Sequence, residues 1–137
     1  MQGFIQISKY AGMRNDLAQA GGGNTSVKLD DRVMLVKSSG FQLADVSENS
    51  GYSKIDYRLI EDYFKENLLV DGQSAETAAE QIVLTEDAGN ALLTKAQMAG
   101  GRASIETFLH AVTGKYTLHS HPTLVNILTA RKDGREI

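Results

Sequence analysis

The apolar residues between positions 4 and 20 recur at loosely helical spacing, which predicts a helix over this stretch. Gly21-Gly22-Gly23 follows and is expected to end that helix, because glycine is a strong helix terminator. Two β-favouring segments come next, residues 24–29 and 33–37, with a short polar run between them. Such a pattern predicts an antiparallel hairpin, and we expect Ser38-Ser39-Gly40 to end its second strand.

The rest of the chain favours helices, with one strand near the end. Apolar positions three and four apart are typical of amphipathic helices. The expected elements are helices over 53–72, from Ser74 to about Met98, from Ser104 through Val112 and from Pro122 to Ala130, and a strand over 115–119. Gly100-Gly101 is expected to end the long helix, and Ser104 is expected to cap the next. We find no repeat or linker, so residues 1–137 predict a single domain.

Composition narrows the possible functions. The chain has 137 residues and a formal charge of −3 with mixed signs, so no basic stripe indicates a nucleic-acid partner. It has no cysteine, so disulfides and thiolate ligands are excluded, and a transition-metal site must use nitrogen and oxygen. No apolar run approaches the roughly 18 to 20 residues of a membrane span, and no signal peptide is evident. We therefore expect a soluble, cytoplasmic protein.

The most informative pair of residues is His119 and His121, in an apolar, β-favouring run. Side chains of a strand alternate between faces, so positions i and i+2 share one face and can share one metal ion. Two imidazoles that point the same way are costly to bury without a partner, which favours a metal site over a structural role. Glu106 lies upstream at a predicted loop-to-helix entry, where its carboxylate could reach the same point.

Four motifs in order resemble those of the class II aldolase/adducin family, most closely its rhamnulose- and fuculose-1-phosphate aldolases. The resemblance spans residues 4 to about 130, and four ordered motifs are more specific than any one alone. The motifs are Gly23-Asn24-Thr25-Ser26-Val27-Lys28, Lys37-Ser38-Ser39-Gly40, Ala103-Ser104-Ile105-Glu106 with His110, and His119-Ser120-His121-Pro122.

The resemblance implies a zinc ion, or another divalent metal, held by His119, His121 and Glu106. Three protein ligands and an open position are what a catalytic zinc needs. Such an ion would stabilise negative charge that develops on a ketose-phosphate substrate. The resemblance also implies that Glu106 is the catalytic acid or base, moving the proton on the carbon next to the substrate carbonyl.

The family positions that bind the substrate phosphate correspond to Asn24, Ser38, Ser39, Gly40 and Ser104. A phosphate held without many lysines needs converging N–H groups and hydroxyls, and glycine lets the backbone approach closely. Lys28 is a weak candidate for the same role. His110, four residues after Glu106, is more simply explained as a structural residue or as a hydrogen-bonded partner of that carboxylate.

The sequence departs from the family pattern at two places. Ala103 stands where the family usually has proline, which loosens the loop but removes no functional group. The family's third metal histidine has no counterpart, because no histidine follows His121. Asp133 or Glu136 are weak substitutes. The family domain also continues well past its H-x-H motif, so we expect a domain that is incomplete at its C-terminus.

The implied fold is a three-layer α/β/α domain with a central, mainly antiparallel sheet. We expect a homo-oligomer, because such a domain should leave a sheet edge unpaired. The function that the resemblance implies is retro-aldol cleavage of a ketose 1-phosphate to dihydroxyacetone phosphate and an aldehyde, by a zinc-dependent lyase. The alternatives are a related epimerase or dehydratase, or a non-catalytic association domain of the adducin type.

Overall fold

The structure is a computed structural model that describes residues 1–68 and 86–132. Its helices and strands, numbered along the chain, are α1 (Gln2–Gly12), β1 (Asn24–Lys28), β2 (Val33–Lys37), β3 (Tyr52–Asp56), α2 (Tyr57–Leu68), α3 (Glu86–Ala96), β4 (Gln97–Gly100), α4 (Thr107–Val112), β5 (Tyr116–His119) and α5 (Thr123–Thr129). A short 3₁₀ helix covers Leu43–Asp45. No helix in the described ranges is long and apolar enough to cross a membrane.

The five strands form one antiparallel sheet in the order β4-β3-β2-β1-β5. The predicted hairpin of β1 and β2 is confirmed, and Asp30 makes its turn by accepting hydrogen bonds from the backbone N–H groups of Arg32 and Val33. Strand β5 pairs with β1, with Asn24 opposite His119. The prediction of an α/β fold with an antiparallel sheet is therefore confirmed.

Apolar side chains pack against both faces of the sheet. Along β2, Met34 and Val36 belong to a cluster with residues of α2, α3 and α4. Leu35, between them, belongs to a second cluster that includes Phe4 of α1. Because successive side chains of a strand point to opposite faces, these two clusters lie on opposite sides of the sheet.

The first helix is shorter than its pattern predicts. It ends at Gly12 rather than near residue 20, and the glycine run at 21–23 is not its terminator. A side chain at Gly12 would collide with the backbone of Leu43 and Ala44, so the chain needs a glycine where α1 meets the 3₁₀ helix. Residues 13–20 form turns that lead back to β1.

Two strands were not predicted. Residues 53–56, expected to begin a helix, belong instead to β3 (Tyr52–Asp56), which pairs with β2 and β4 and buries Ser53 and Ile55. Residues 97–100, expected to end the long helix, form β4, and Gly100 adopts φ +88° inside it. The earlier part of that helix, from Ser74, lies outside the described residues.

The last three predicted elements are confirmed with small shifts. Helix α4 begins at Thr107, with Glu106 rather than Ser104 as the residue before it, and the Ser104 carbonyl accepts the Thr107 N–H. Strand β5 ends at His119, and Pro122 directly precedes α5. The result is that Glu106 and both histidines lie at the ends of regular elements.

Candidate metal centre

Two elements, β5 and α4, bring the predicted ligands together. His119 is the last residue of β5, His121 follows two residues later, and Glu106 directly precedes α4. The backbone N–H of His121 donates to the Leu17 carbonyl at 2.8 Å, which fixes the chain after the strand. A Cβ on Gly22 would lie 3.0 Å from His121 Nδ1, so the glycine run packs directly against this imidazole.

The ligand atoms converge on a small volume. Glu106 Oε1 lies 3.2 Å from His119 Nδ1 and 3.9 Å from His121 Nε2. One ligand atom from each of the three residues can be chosen so that all lie within 4.8 Å of one another. Tetrahedral zinc with bonds of 2.0–2.1 Å places its ligand atoms about 3.3 Å apart. These separations therefore suit one cation after small side-chain adjustments.

A second observation supports the fit. His119 Nδ1 is shielded from solvent, yet it makes no hydrogen bond within the described part of the chain. The distance from His119 Nδ1 to Glu106 Oε1, 3.2 Å, is short enough for a hydrogen bond, but the atoms are not aligned for one. A buried polar atom without a partner is costly, and a metal ion between the carboxylate and the two imidazoles would satisfy it. The donor set, two nitrogens and one carboxylate, fits zinc and similar divalent ions.

The other carboxylate oxygen of Glu106 is held from the opposite side. Asn24 Nδ2 donates to Glu106 Oε2 at 2.9 Å, and the Ser104 hydroxyl lies 3.5 Å from the same oxygen. Asn24 is fully buried, and its own Oδ1 accepts the Thr25 N–H. Asn24 therefore orients the carboxylate, as outer partners commonly do for metal-binding side chains.

The five predicted phosphate residues occupy two different environments. Ser39 and Ser104 line one cavity of about 520 Å³, and Gly40 lies in the adjacent turn with φ +83°. Asn24 and Ser38 are fully buried, and the Ser38 hydroxyl is within 2.9 Å of that of Ser53. The side chain of Asn24 contacts Ser104 and Glu106, whereas that of Ser38 contacts Ser53. Phosphate binding by the five stays a prediction.

Lys37 is a residue that the sequence reasoning missed. Its side chain is buried, and Nζ donates to the carbonyls of Phe41 at 2.8 Å and Gly21 at 3.3 Å. Burial lowers the pKa of Lys37, and attraction from Glu106 opposes this shift. The signal was present, because Lys37 is part of a quoted motif and is a charged residue at the end of an apolar strand.

Lys28, the weaker candidate, lies elsewhere. Its Nζ donates to the carbonyls of Ala111 and Thr113 at 2.7 and 2.8 Å, and it lies 3.6 Å from Glu61. A lysine at the C-terminal end of a helix satisfies free carbonyl groups and interacts favourably with the helix dipole. Lys28 thus anchors the end of α4.

His110 has a structural setting, as expected. It is fully buried, and its Nδ1 lies 2.7 Å from the Ser26 hydroxyl. Burial lowers the pKa of His110 to about 4, although the nearby charge of Glu106 acts in the other direction. The ring is therefore neutral near pH 7, and it packs α4 onto β1 beneath the candidate metal centre.

Comparison with known proteins supports the resemblance through a solved structure. No family model and no curated protein matches the chain. A solved structure, the N-terminal class II aldolase domain of a conserved protein from Thermoplasma acidophilum, is similar over 94% of this chain, with 26% sequence identity and a TM-score of 0.71. The match covers 58% of that solved chain. The resemblance to class II aldolases that the four motifs indicate is therefore confirmed by the fold of nearly the whole chain.

Proposed function

We propose that this protein is a metal-dependent lyase that cleaves a ketose 1-phosphate into dihydroxyacetone phosphate and an aldehyde, with zinc as the metal. The observation that carries the proposal is the convergence of Glu106, His119 and His121 within 4.8 Å on a class II aldolase-like fold. A non-catalytic association domain would have no chemical use for this convergence. The adducin-type alternative therefore receives less support.

The proposed role of each site residue follows from its position. A divalent ion held by Glu106, His119 and His121 would supply Lewis-acid polarisation of the substrate carbonyl. Asn24 and Ser104 hold one oxygen of Glu106 and leave Oε1 facing the histidines. In this proposal the Glu106 carboxylate moves the proton on the carbon next to that carbonyl. Ser39, Gly40 and Ser104 are the predicted phosphate ligands that lie in or beside the cavity.

The test is an assay of ketose 1-phosphate cleavage, including rhamnulose and fuculose 1-phosphates, with zinc-loaded protein. Glu106→Gln keeps the size of the side chain but removes its charge, and we expect cleavage to fall by at least about 100-fold. Glu48→Gln, at an exposed glutamate, is the matched control and should leave the rate unchanged. Cleavage of every substrate tested at the same rate by Glu106→Gln would contradict the proposal.

Epimerases and dehydratases of the same family are the closest alternatives. They would use the same carboxylate and histidines, so the geometry of the centre alone does not separate them. Product analysis does: cleavage releases a three-carbon phosphate, whereas an epimerase returns an isomer and a dehydratase releases water. A Glu106-dependent product of either kind would replace the aldolase assignment.

The proposal includes a single three-layer α/β/α domain over residues 1–137 and self-association of the chain. Apolar clusters on both faces of the sheet support the layered arrangement. Within the described residues, β5 pairs only with β1, and it exposes Tyr116 and Leu118 at the edge of the sheet. Unpaired edges with exposed apolar residues favour association. A monodisperse monomer in light scattering would contradict self-association.

A further inference from the structure

His121 lies beyond the strand that positions His119. Strand β5 ends at His119, and its pairing with β1 fixes that residue in the sheet. His121 follows two residues later, so the hydrogen bonds of the sheet do not hold it. A metal site requires ligand atoms within about 0.2 Å of their ideal distances. Another part of the chain therefore has to place the His121 imidazole, and the α1–β1 connection, residues 13–23, lies against it.

The backbone of the α1–β1 connection holds the chain after β5. The N–H of His121 donates to the Leu17 carbonyl at 2.8 Å, and the N–H of Thr123 donates to the Asp16 carbonyl at 3.1 Å. Pro122, between these two residues, has no N–H to donate. Every backbone N–H from His121 to Thr123 is thus bonded to the α1–β1 connection, which fixes the start of α5 as well as the second histidine.

Gln19, a side chain of the same connection, makes a further set of contacts. Its Nε2 donates to the Thr123 hydroxyl at 2.7 Å and to the Asn15 carbonyl at 2.6 Å. The same nitrogen lies 3.4 Å from the His121 carbonyl. The Thr123 hydroxyl in turn donates to the Asn15 carbonyl at 3.0 Å. An amide NH₂ has two hydrogens, so the two short contacts use both. Gln19 and Thr123 therefore close a ring of hydrogen bonds across 104 positions of sequence.

The turn that begins at Gln19 is strained. Ala20 adopts φ +48°, and the Gly22 N–H donates to the Gln19 carbonyl at 2.8 Å across it. A residue with a side chain at positive φ costs free energy and persists only where its surroundings hold it, often at functional sites. One end of this turn is bonded to Thr123 through Gln19. At the other end, a Cβ on Gly22 would lie 3.0 Å from His121 Nδ1. The strained turn therefore packs against the imidazole while Gln19 anchors it.

We infer that Gln19 is a positioning residue of the candidate metal centre. Its amide fixes the α1–β1 connection to Thr123 and thereby sets the place of the His121 imidazole. The inference rests on the metal centre of the proposed function and adds to it a residue that supplies no ligand atom. Gln19 reaches the backbone of His121 but not its ring nitrogens, so it acts through the position of that ring.

The first test is a competitive zinc titration of Gln19→Ala. Loss of an outer partner lowers metal affinity by about 10- to 100-fold, and we expect about tenfold because Gln19 acts through the backbone. Gln6→Ala, at an exposed glutamine of α1, is the matched control and should bind zinc as the wild type does.

Thr123 provides a second, independent arm of the test. Thr123→Val keeps the shape of the side chain but loses the hydroxyl, so it should weaken zinc binding as Gln19→Ala does. Thr123→Ser restores the hydroxyl and should restore the affinity. Thr129→Val, at an exposed threonine of the same helix, is the control. Because Gln19 and Thr123 act as one pair, the double variant should bind zinc no more weakly than the weaker single variant.

Two further measurements separate positioning from a general loss of stability. In the zinc-free chain, Gln19→Ala should speed hydrogen exchange at the amides of His121 and Thr123, while the amides of the β1–β2 hairpin keep their wild-type rates. With Co²⁺ in place of zinc, the visible absorption spectrum should change in Gln19→Ala, because that spectrum depends on the geometry of the ligands. A loss of stability alone would speed exchange in the hairpin as well and leave the spectrum unchanged.

The outcomes distinguish this inference from the proposed function. If Gln19→Ala binds zinc with wild-type affinity and an unchanged cobalt spectrum, or if Gln6→Ala weakens binding equally, the inference is overturned while the metal centre stands. If the wild type binds no zinc, the metal-dependent function is overturned. Exchange at the His121 amide of the zinc-free chain then still decides whether Gln19 holds this segment, and equal rates in wild type and Gln19→Ala would show that it does not. If Gln19→Ala fails to fold, the comparison of Thr123→Val with Thr123→Ser gives the same decision.

Discussion

Asn24 donates a hydrogen bond of 2.9 Å to Glu106 and links the start of β1 to the residue before α4. The two residues are 82 positions apart, and the bond holds the carboxylate oxygen that faces away from the histidines. Strand pairing places His119 of β5 opposite Asn24 of β1. One buried asparagine thus connects the two halves of the candidate centre.

Asn24→Ala should therefore weaken metal binding without removing a ligand. Loss of an outer hydrogen-bond partner typically lowers metal affinity by about 10- to 100-fold, and we expect that range for zinc. The measurement is a competitive zinc titration against a chelator of known affinity. Asn126→Ala, at an exposed asparagine of α5, is the control and should bind zinc as the wild type does. Equal affinity in Asn24→Ala would show that this bond does not position Glu106.

Gly22→Ala should perturb His121 selectively. The added Cβ would lie 3.0 Å from His121 Nδ1 and 3.0 Å from the Gln19 carbonyl oxygen, so the ring or the loop has to move. Ligand positions matter to within a few tenths of an ångström, and we expect zinc affinity to fall by about tenfold. The matched control is Gly21→Ala, because a Cβ there meets no atom within 4 Å. If both variants bind zinc equally well, the glycine run does not shape the site.

His110 should make the protein less stable as the solution is acidified. Its pKa is about 4 in the folded chain, below the ordinary 6.5, because burial disfavours the charged ring. Well above pH 6.5 the His110 ring is neutral in both the folded and the unfolded chain, so its burial costs no stability there. As pH falls from 6.5 towards 4, the unfolded chain binds a proton that the folded chain does not, so stability is lost. Between pH 7 and pH 5 this loss amounts to about 2 kcal/mol.

The measurement is urea unfolding at pH 7 and pH 5 in the presence of a chelator, for the wild type and His110→Gln. Glutamine does not titrate but can still hydrogen-bond Ser26. Between pH 7 and pH 5 both proteins should lose stability. We expect the loss in the free energy of unfolding to be about 2 kcal/mol smaller for the variant than for the wild type. An equal loss in both proteins would mean that His110 is not the titrating group.

Much of the candidate centre could be predicted because its signals are local. The i, i+2 spacing of His119 and His121 predicted that the two rings lie together, and their ring centroids are 4.9 Å apart. Strand β5 ends at His119, however, and His121 is fixed beyond it by the hydrogen bond from its N–H to the Leu17 carbonyl. The hairpin of β1 and β2 follows from two apolar runs and a polar turn. Its sequence motif identified Glu106 as a candidate ligand, but its distance from the histidines is known only from the fold.

The missed features depend on contacts distant in sequence. Strand β3 has a polar sequence, and it is a strand because β2 and β4 pair with both of its edges. The four residues of β4 carry no strand pattern of their own. The local sequence predicts only that Lys37 ends a strand. Its burial depends on the fold, which places the carbonyls of Gly21 and Phe41 within hydrogen-bond distance of its Nζ. Such pairings are set by the whole fold rather than by the local sequence.

Zinc titration of the metal-stripped chain, with His119→Ala as its partner, tests the central claim most directly. We expect about one zinc ion per wild-type chain, and loss of tight binding in the variant, because removal of His119 leaves only Glu106 and His121 of the three converging ligands. Absence of zinc binding in the wild type, or binding that His119→Ala leaves unchanged, would contradict the metal centre and the function proposed from it.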